Sequence, residues 1–197
     1  MDGAAMRIAG LALAAGLALS ACTGAAPDPE VATSPTGDPT PTASASPSPS
    51  PSVPTKPERP KAMEREDAKG AAAAAEYFIE LYPYVMATGD TEEFEAMSHR
   101  ACGFCEQALR DTGRIQARDQ GFVGGTTEVK VLDQYVRDDL TGIYPLDVEV
   151  SQDASTTLDP AGSVVASAES QTSVHRIEMG RKDDRWVVVA IAPRPES

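Results

Sequence analysis

The sequence predicts an α+β domain, with N-terminal helices packed on an antiparallel sheet and a disordered tether in front. Three observations carry this. Apolar side chains recur at helical spacing from residue 62 to about residue 120. Beyond Gly125 they alternate instead, as in half-buried strands. The stretch 23–61 shows neither pattern and is dominated by Pro, Ser and Thr. No helical pattern separates the strands, so they should pair antiparallel, with the helices segregated to the N-terminal half.

Residues 1–21 read as an export signal. Arg7 supplies a positive start, and Ile8 to Leu19 form an apolar run of 12 residues. A membrane span needs about 20, so the run is an h-region and not a permanent helix. A start at Met6 would remove Asp2, which sits oddly in a basic region. The signal ends in Leu19-Ser20-Ala21-Cys22, followed by Thr23-Gly24. This resembles a bacterial lipobox, which implies that Cys22 is lipidated and becomes the new N-terminus. Two acyl chains anchor where one would not, because each buried CH₂ contributes about 0.8 kcal/mol. The lipid bilayer is thus the expected first partner, and the outer face of the cell membrane the expected location.

Residues 22–61 hold the lipidated Cys and the tether. The tether contains most of the chain's 16 prolines and no aromatic residue. It buries too little apolar surface to offset its ordering entropy. As polyproline II, the 39 residues 23–61 would reach roughly 120 Å, enough to lift a domain into or through a cell wall.

Residues 62–197 are one domain of ordinary size, with 13 basic and 25 acidic residues. That acidity argues against nucleic acid and against a second electrostatic contact with membrane. In the first helix Ala74, Phe78, Leu81, Tyr82 and Val85 fall on one face. Glu64, Glu66 and Asp67 favour its N-terminus. Pro83 should kink it or start a new one, and Gly89 suits a left-handed C-cap. Asp90 or Thr91 then caps a short helix to about Ser98. A third runs from about Gly103 to Gln120, with Phe104, Leu109 and Ile115 inward and Gly121 as its stop. Gly121, Gly124 and Gly125 read as a helix-to-strand turn. Val129, Val131, Asp133 and Tyr135 share one strand face. Leu146, Val148 and Val150 share another, as do His175, Ile177 and Met179. "GRKDD", residues 180–184, is a hairpin loop before the final strand "RWVVVAIAP", where Trp186 should pack between sheet and helices.

This order of elements resembles the nuclear-transport-factor-two-like, or cystatin-like, α+β cone. The lipobox, the tether, "YFIELYPYVMATGDTEEFEAMS" and the Cys102-Gly103-Phe104-Cys105 that follows resemble an actinobacterial lipoprotein family of unknown function. The resemblance implies a curved sheet wrapped around the helices, with a cavity at the wide end. Some cones are enzymes that use an Asp base in an apolar pocket. Asp133, near Tyr135, is the nearest echo, although a carboxylate at a sheet rim fits it as well. Many cones only bind, so the fold licenses no activity.

Cys102 and Cys105 have three readings. Exchange enzymes carry C-x-x-C, but after a β-strand in a βαβ setting, which is missing here. His99, Cys102 and Cys105 form H-x-x-C-x-x-C, yet a structural zinc wants four ligands. The third reading is a structural disulfide at the entry to the third helix. Lipidation of Cys22 leaves this pair even, in a compartment where disulfides persist. His99 and His175 are the only histidines. No G-x-S-x-G, H-E-x-x-H or P-loop accompanies them, so no catalytic, metal or cofactor residue is assigned. The function expected is a binding or assembly module at the cell envelope, for a small ligand or a protein, acting singly or as a homodimer. The alternatives are a thiol-disulfide oxidoreductase using Cys102 and Cys105, and a small-molecule cavity enzyme.

Overall fold

A computed structural model describes residues 54–195. The signal, Cys22 and most of the tether lie outside that range. Within it the chain runs through a 3₁₀ turn (Lys61–Glu64), then α1 (Ala68–Thr88), α2 (Glu92–Met97) and α3 (Gly103–Ala117). Seven strands follow: β1 (Gly121–Gly124), β2 (Thr127–Gln134), β3 (Tyr144–Gln152), β4 (Ser155–Leu158), β5 (Val164–Ala168), β6 (Gln171–Lys182) and β7 (Arg185–Pro193). They form a four-stranded sheet in the order β2-β3-β6-β7 and a three-stranded sheet in the order β1-β4-β5, antiparallel throughout. The class is α+β, as expected, and neither sheet closes on itself.

The two orders match because β1 leads into β2, β3 into β4 and β5 into β6. A long three-stranded ribbon is broken once and turned at residues 125–126, 153–154 and 169–170. The backbone still pairs across the break: Gly125 N donates to Ala154 O and Asp153 N to Thr126 O. Gly124 makes the turn possible. Its φ is 80°, and a Cβ there would sit 2.4 Å from Ala154 O. Gly121–Gly124 is therefore a short strand and not a plain turn. The segments 155–158 and 164–168, unassigned from sequence, complete the smaller sheet.

α1 begins where Asp67 accepts hydrogen bonds from the amides of Lys69 and Gly70. Arg65, then these amides, hold the Asp67 carboxyl down at about 2. The expected stripe is inward: Ala74, Phe78, Leu81 and Val85 are buried, and Tyr82 is half-buried at its edge. Pro83 does not interrupt the helix. Its missing N–H leaves Ile79 O without a helical donor, and Thr127 Oγ1 on β2 donates to that carbonyl at 3.2 Å. Gly89 ends α1 with φ 74° and donates to Val85 O.

The core lies between the helices and the four-stranded sheet. Phe78 stacks on Phe94, with ring centroids 4.2 Å apart. Trp186 meets the ring of Tyr144 edge-on at 5.3 Å. The indole N–H reaches Met63 O and Arg65 O at 3.0 and 3.1 Å, so the 3₁₀ turn closes this end of the core. The ordered chain begins earlier than composition suggests. Within the stretch counted as tether, Arg59 bonds Glu93 at 2.9 Å, and Lys56 lies 3.3 Å from the same carboxylate.

Three expectations on the strands and helices are corrected. A bulge between Val131 and Asp133 flips the side-chain alternation of β2, so Asp133 pairs with Asp147 and leaves the face that carries Val129 and Val131. The last hairpin turns at Asp183 and Asp184, both at positive φ, and the rest of "GRKDD" is strand. α3 stops at Ala117, and Asp119 at φ 50° turns the chain before Gly121 is reached.

Candidate functional site

The helices do not cover the whole inner face of the main sheet. Toward the bend, α1 and α3 stand off and leave a cavity of about 390 Å³. Ile79 and Tyr82 of α1 and Phe104 of α3 form its helical wall. Val150 and Gln152 of β3, Thr127 of β2, Ile191 of β7, and Gln171, Ser173 and His175 of β6 form its sheet wall. This size and mix of apolar and hydrogen-bonding groups suit a small-molecule pocket.

The strand register explains the placement. Along β6 the inner face carries Gln171, Ser173, His175, Ile177 and Met179 in alternation. Ile177 and Met179 are fully buried in the core. The same strand therefore passes from core to cavity between Ile177 and His175. Gln152 faces Gln171 across the β3–β6 pair, and Val150 faces Ser173. Ser173 Oγ and His175 Nε2 are 2.7 Å apart. His175 Nδ1 is buried with no hydrogen-bond partner.

Phe104 of the CGFC stretch forms the cavity's lip. Cys102 caps α3, its Sγ accepting from Cys105 N at 3.2 Å, and its sulfur is bonded to that of Cys105, 1.97 Å away. Both cysteines are 1 % exposed and belong to the core. Between them Phe104 points outward. It was expected to face the core, yet it is 36 % exposed and leans on Tyr82, with centroids 5.9 Å apart. The buried stripe of α3 is instead Cys105, Ala108, Thr112 and Ile115, with Leu109 packed beside it. Burial, then the nearby Asp111 charge, push the Tyr82 hydroxyl's pKa up.

The other singled-out residues lie apart. His99 follows α2, where its Nδ1 accepts from Ala101 N and its own N–H donates to Val188 O. With the sulfurs bonded to each other, His99, Cys102 and Cys105 do not make a metal triad. Among the described residues no other such cluster exists either. Asp133, turned by the bulge, is not part of the cavity wall. The carboxylate that sequence reasoning missed is Asp147, 1 % exposed on the sheet's outer face. Arg176 makes a two-point salt bridge to it and Tyr135 donates to it at 2.8 Å. The Arg176 guanidinium, above all, holds the Asp147 carboxyl below the usual range. The pair is fully satisfied and closed over by the Tyr135 ring, 4.5 Å from the guanidinium, so it is a structural clasp.

Among solved structures, three similar ones illustrate the comparison. The intermembrane space region of the chloroplast protein ARC6 is 10 % identical, with 67 % of this chain and 99 % of that one covered and a TM-score of 0.47. An uncharacterized protein with a cystatin-like fold from Caulobacter vibrioides is 13 % identical, with 62 % and 87 % covered and a TM-score of 0.36. A putative dehydratase from the NTF2-like family of Streptomyces avermitilis is 14 % identical, with 66 % and 98 % covered and a TM-score of 0.34. No curated protein matches the chain in sequence. Residues 36–192, which take in most of the tether, every described helix and nearly all of both sheets, match the model of a family of unknown function, and the chain belongs to that family, DUF6318.

Proposed function

We propose that this protein is a lipid-anchored binding module of the cell envelope, and that its domain works through the cavity at the open end of an α+β cone. The observation that carries the binding reading is the cavity itself. It is a concave space of about 390 Å³ between the sheet and the Ile79, Tyr82 and Phe104 side chains, at the end where the helices stand off from the sheet. The turned ribbon, with α1 packed against its strands β1, β2, β3 and β6, supports the cone. Leu19-Ser20-Ala21-Cys22, placed behind the apolar run, supports the anchor.

The burial of Cys102 and Cys105 favours a structural role over thiol exchange. Exchange needs a sulfur that an incoming thiolate can reach, and both are 1 % exposed. The pair does sit at a helix N-terminus, as exchange motifs do, but it follows a turn and not a strand.

Two measurements test the proposal. Cells fed an alkyne fatty acid should yield labelled protein in the membrane fraction, and Cys22→Ala should abolish both the label and the fractionation. Retention of membrane attachment without label would refute the lipid anchor. The binding half is tested by the probe series described next.

A further inference from the structure

We infer that the cavity takes an uncharged, elongated molecule, apolar along one edge and bearing amide or hydroxyl groups along the other. This rests on reading the cavity as the binding site. Charge is the first argument. Among the described residues no Lys, Arg, Asp or Glu lines the cavity. An ionised ligand group would leave water there with no Lys, Arg, Asp or Glu side chain to meet it. A neutral ligand avoids that penalty.

The second argument is the order of the polar groups. Gln171, Ser173 and His175 occupy alternate positions of one strand on one face, so they stand about 7 Å apart in a row. Gln152 doubles the row at its outer end. Side-chain amides at that end both donate and accept, and the Ser173–His175 pair does the same further in. Thr127 adds no donor to them, since its hydroxyl proton goes to Ile79 O. Opposite the row stand Ile79, Tyr82 and Phe104, which offer only ring faces, aliphatic surface and one phenol. A molecule between these walls meets hydrogen bonds along one side and apolar surface along the other.

The third argument is the orphan. Buried polar atoms nearly always have a partner, and His175 Nδ1 has none. That unmet nitrogen belongs to the residue at the inner end of the row, next to the core, and a turn of the His175 ring would present it to a bound molecule.

The test uses the full chain in lipid nanodiscs, with Ile methyl groups labelled for NMR. The probes are 6-phenylhexanamide, 6-phenylhexanoate and 6-phenylhexylamine, which share a phenyl-terminated six-carbon chain and carry a neutral amide, a carboxylate and an ammonium head. The amide should shift the Ile79 and Ile191 methyls and bind at least ten-fold more tightly than either charged analogue. Gln171→Leu combined with Ser173→Ala should weaken the amide about ten-fold while Ile methyls outside the cavity keep their shifts. A charged probe that binds the same methyls as well as the amide does would overturn the ligand class and leave the cavity reading standing. An amide that binds the double variant undiminished would overturn the role of the polar row. If no probe moves the cavity methyls up to its solubility limit, the binding reading itself fails.

Discussion

The two ends of the space between the helices and the main sheet are built on the same strands and differ in what covers them. At the hairpin end the chain just ahead of α1 folds back over the sheet. Met63 is buried there, Trp186 bonds two carbonyls of that segment, and Tyr144 Oη donates to Glu66 O at 2.7 Å. At the bend end none of the described segments folds back, and the Tyr82–Phe104 pair stands at the edge of an open cavity. The sheet alone does not decide where the core stops. A short covering segment does, and residues of one strand four positions apart, His175 and Met179, find themselves in different solvents.

If that comparison is right, truncation at the closed end should cost far more than at the open end. Trp186→Ala should lower unfolding stability by about 3–5 kcal/mol, because it opens a cavity and orphans Met63 O and Arg65 O together. Ile191→Val, in the cavity wall, should cost only about 0.5–1.5 kcal/mol. Urea denaturation of both variants measures the ratio. Equal costs would mean that the hairpin end is no better packed than the cavity.

Much of this contrast was legible in the sequence, and the parts that were not share a cause. The α1 stripe, Gly89 as a cap, the inner faces of β3 and β6, and the place of Trp186 all announce themselves through periodic burial. The smaller sheet does not. β4 is half-buried at every residue and β5 exposed at every residue, so neither shows the alternation that marks a strand with one buried face. The bulge in β2 adds a single residue and reverses the face of everything after it, which no pattern of residue types marked. Phe104 was misplaced for a related reason: an aromatic ring at helical spacing reads as core, and only the missing cover at the bend leaves it outside. The cavity's polar row was visible only in part. His175 was placed on a cavity or sheet face, but Gln171 and Gln152 gained meaning only from the β3–β6 register.

The open end itself gives the next effect. Thr127 on β2 supplies the hydrogen bond that Pro83 withholds from α1, and it does so beside the cavity. Thr127→Val keeps the shape and leaves Ile79 O buried without a donor, at a cost of about 1–3 kcal/mol. Adding Pro83→Ala restores a helical N–H to that carbonyl, so the double variant should recover most of the loss. Thermal unfolding of the three proteins closes the cycle. A double variant no more stable than Thr127→Val alone would show that the hydroxyl acts elsewhere.

A modest effect on stability should come from the disulfide, and its location makes it the most informative about the open end. The bridge closes a loop far shorter than the 15 residues that correspond to about 3 kcal/mol, so its entropic share is smaller than that. Cys102→Ala with Cys105→Ala should therefore lower the melting temperature modestly and leave the fold intact by circular dichroism. The bridge also ties the cap of α3 to its first turn, from which Phe104 reaches the Tyr82 ring. Cutting it should free that ring to move, and 6-phenylhexanamide should leave the cavity faster. Phe104→Ala separates the two roles. It removes the lip with little change in stability, since a third of the ring already faces solvent. If the double alanine variant loses stability but keeps the dissociation rate of the wild-type chain, the disulfide serves the core alone. If its rate matches that of Phe104→Ala, Cys102 and Cys105 hold the entrance in place.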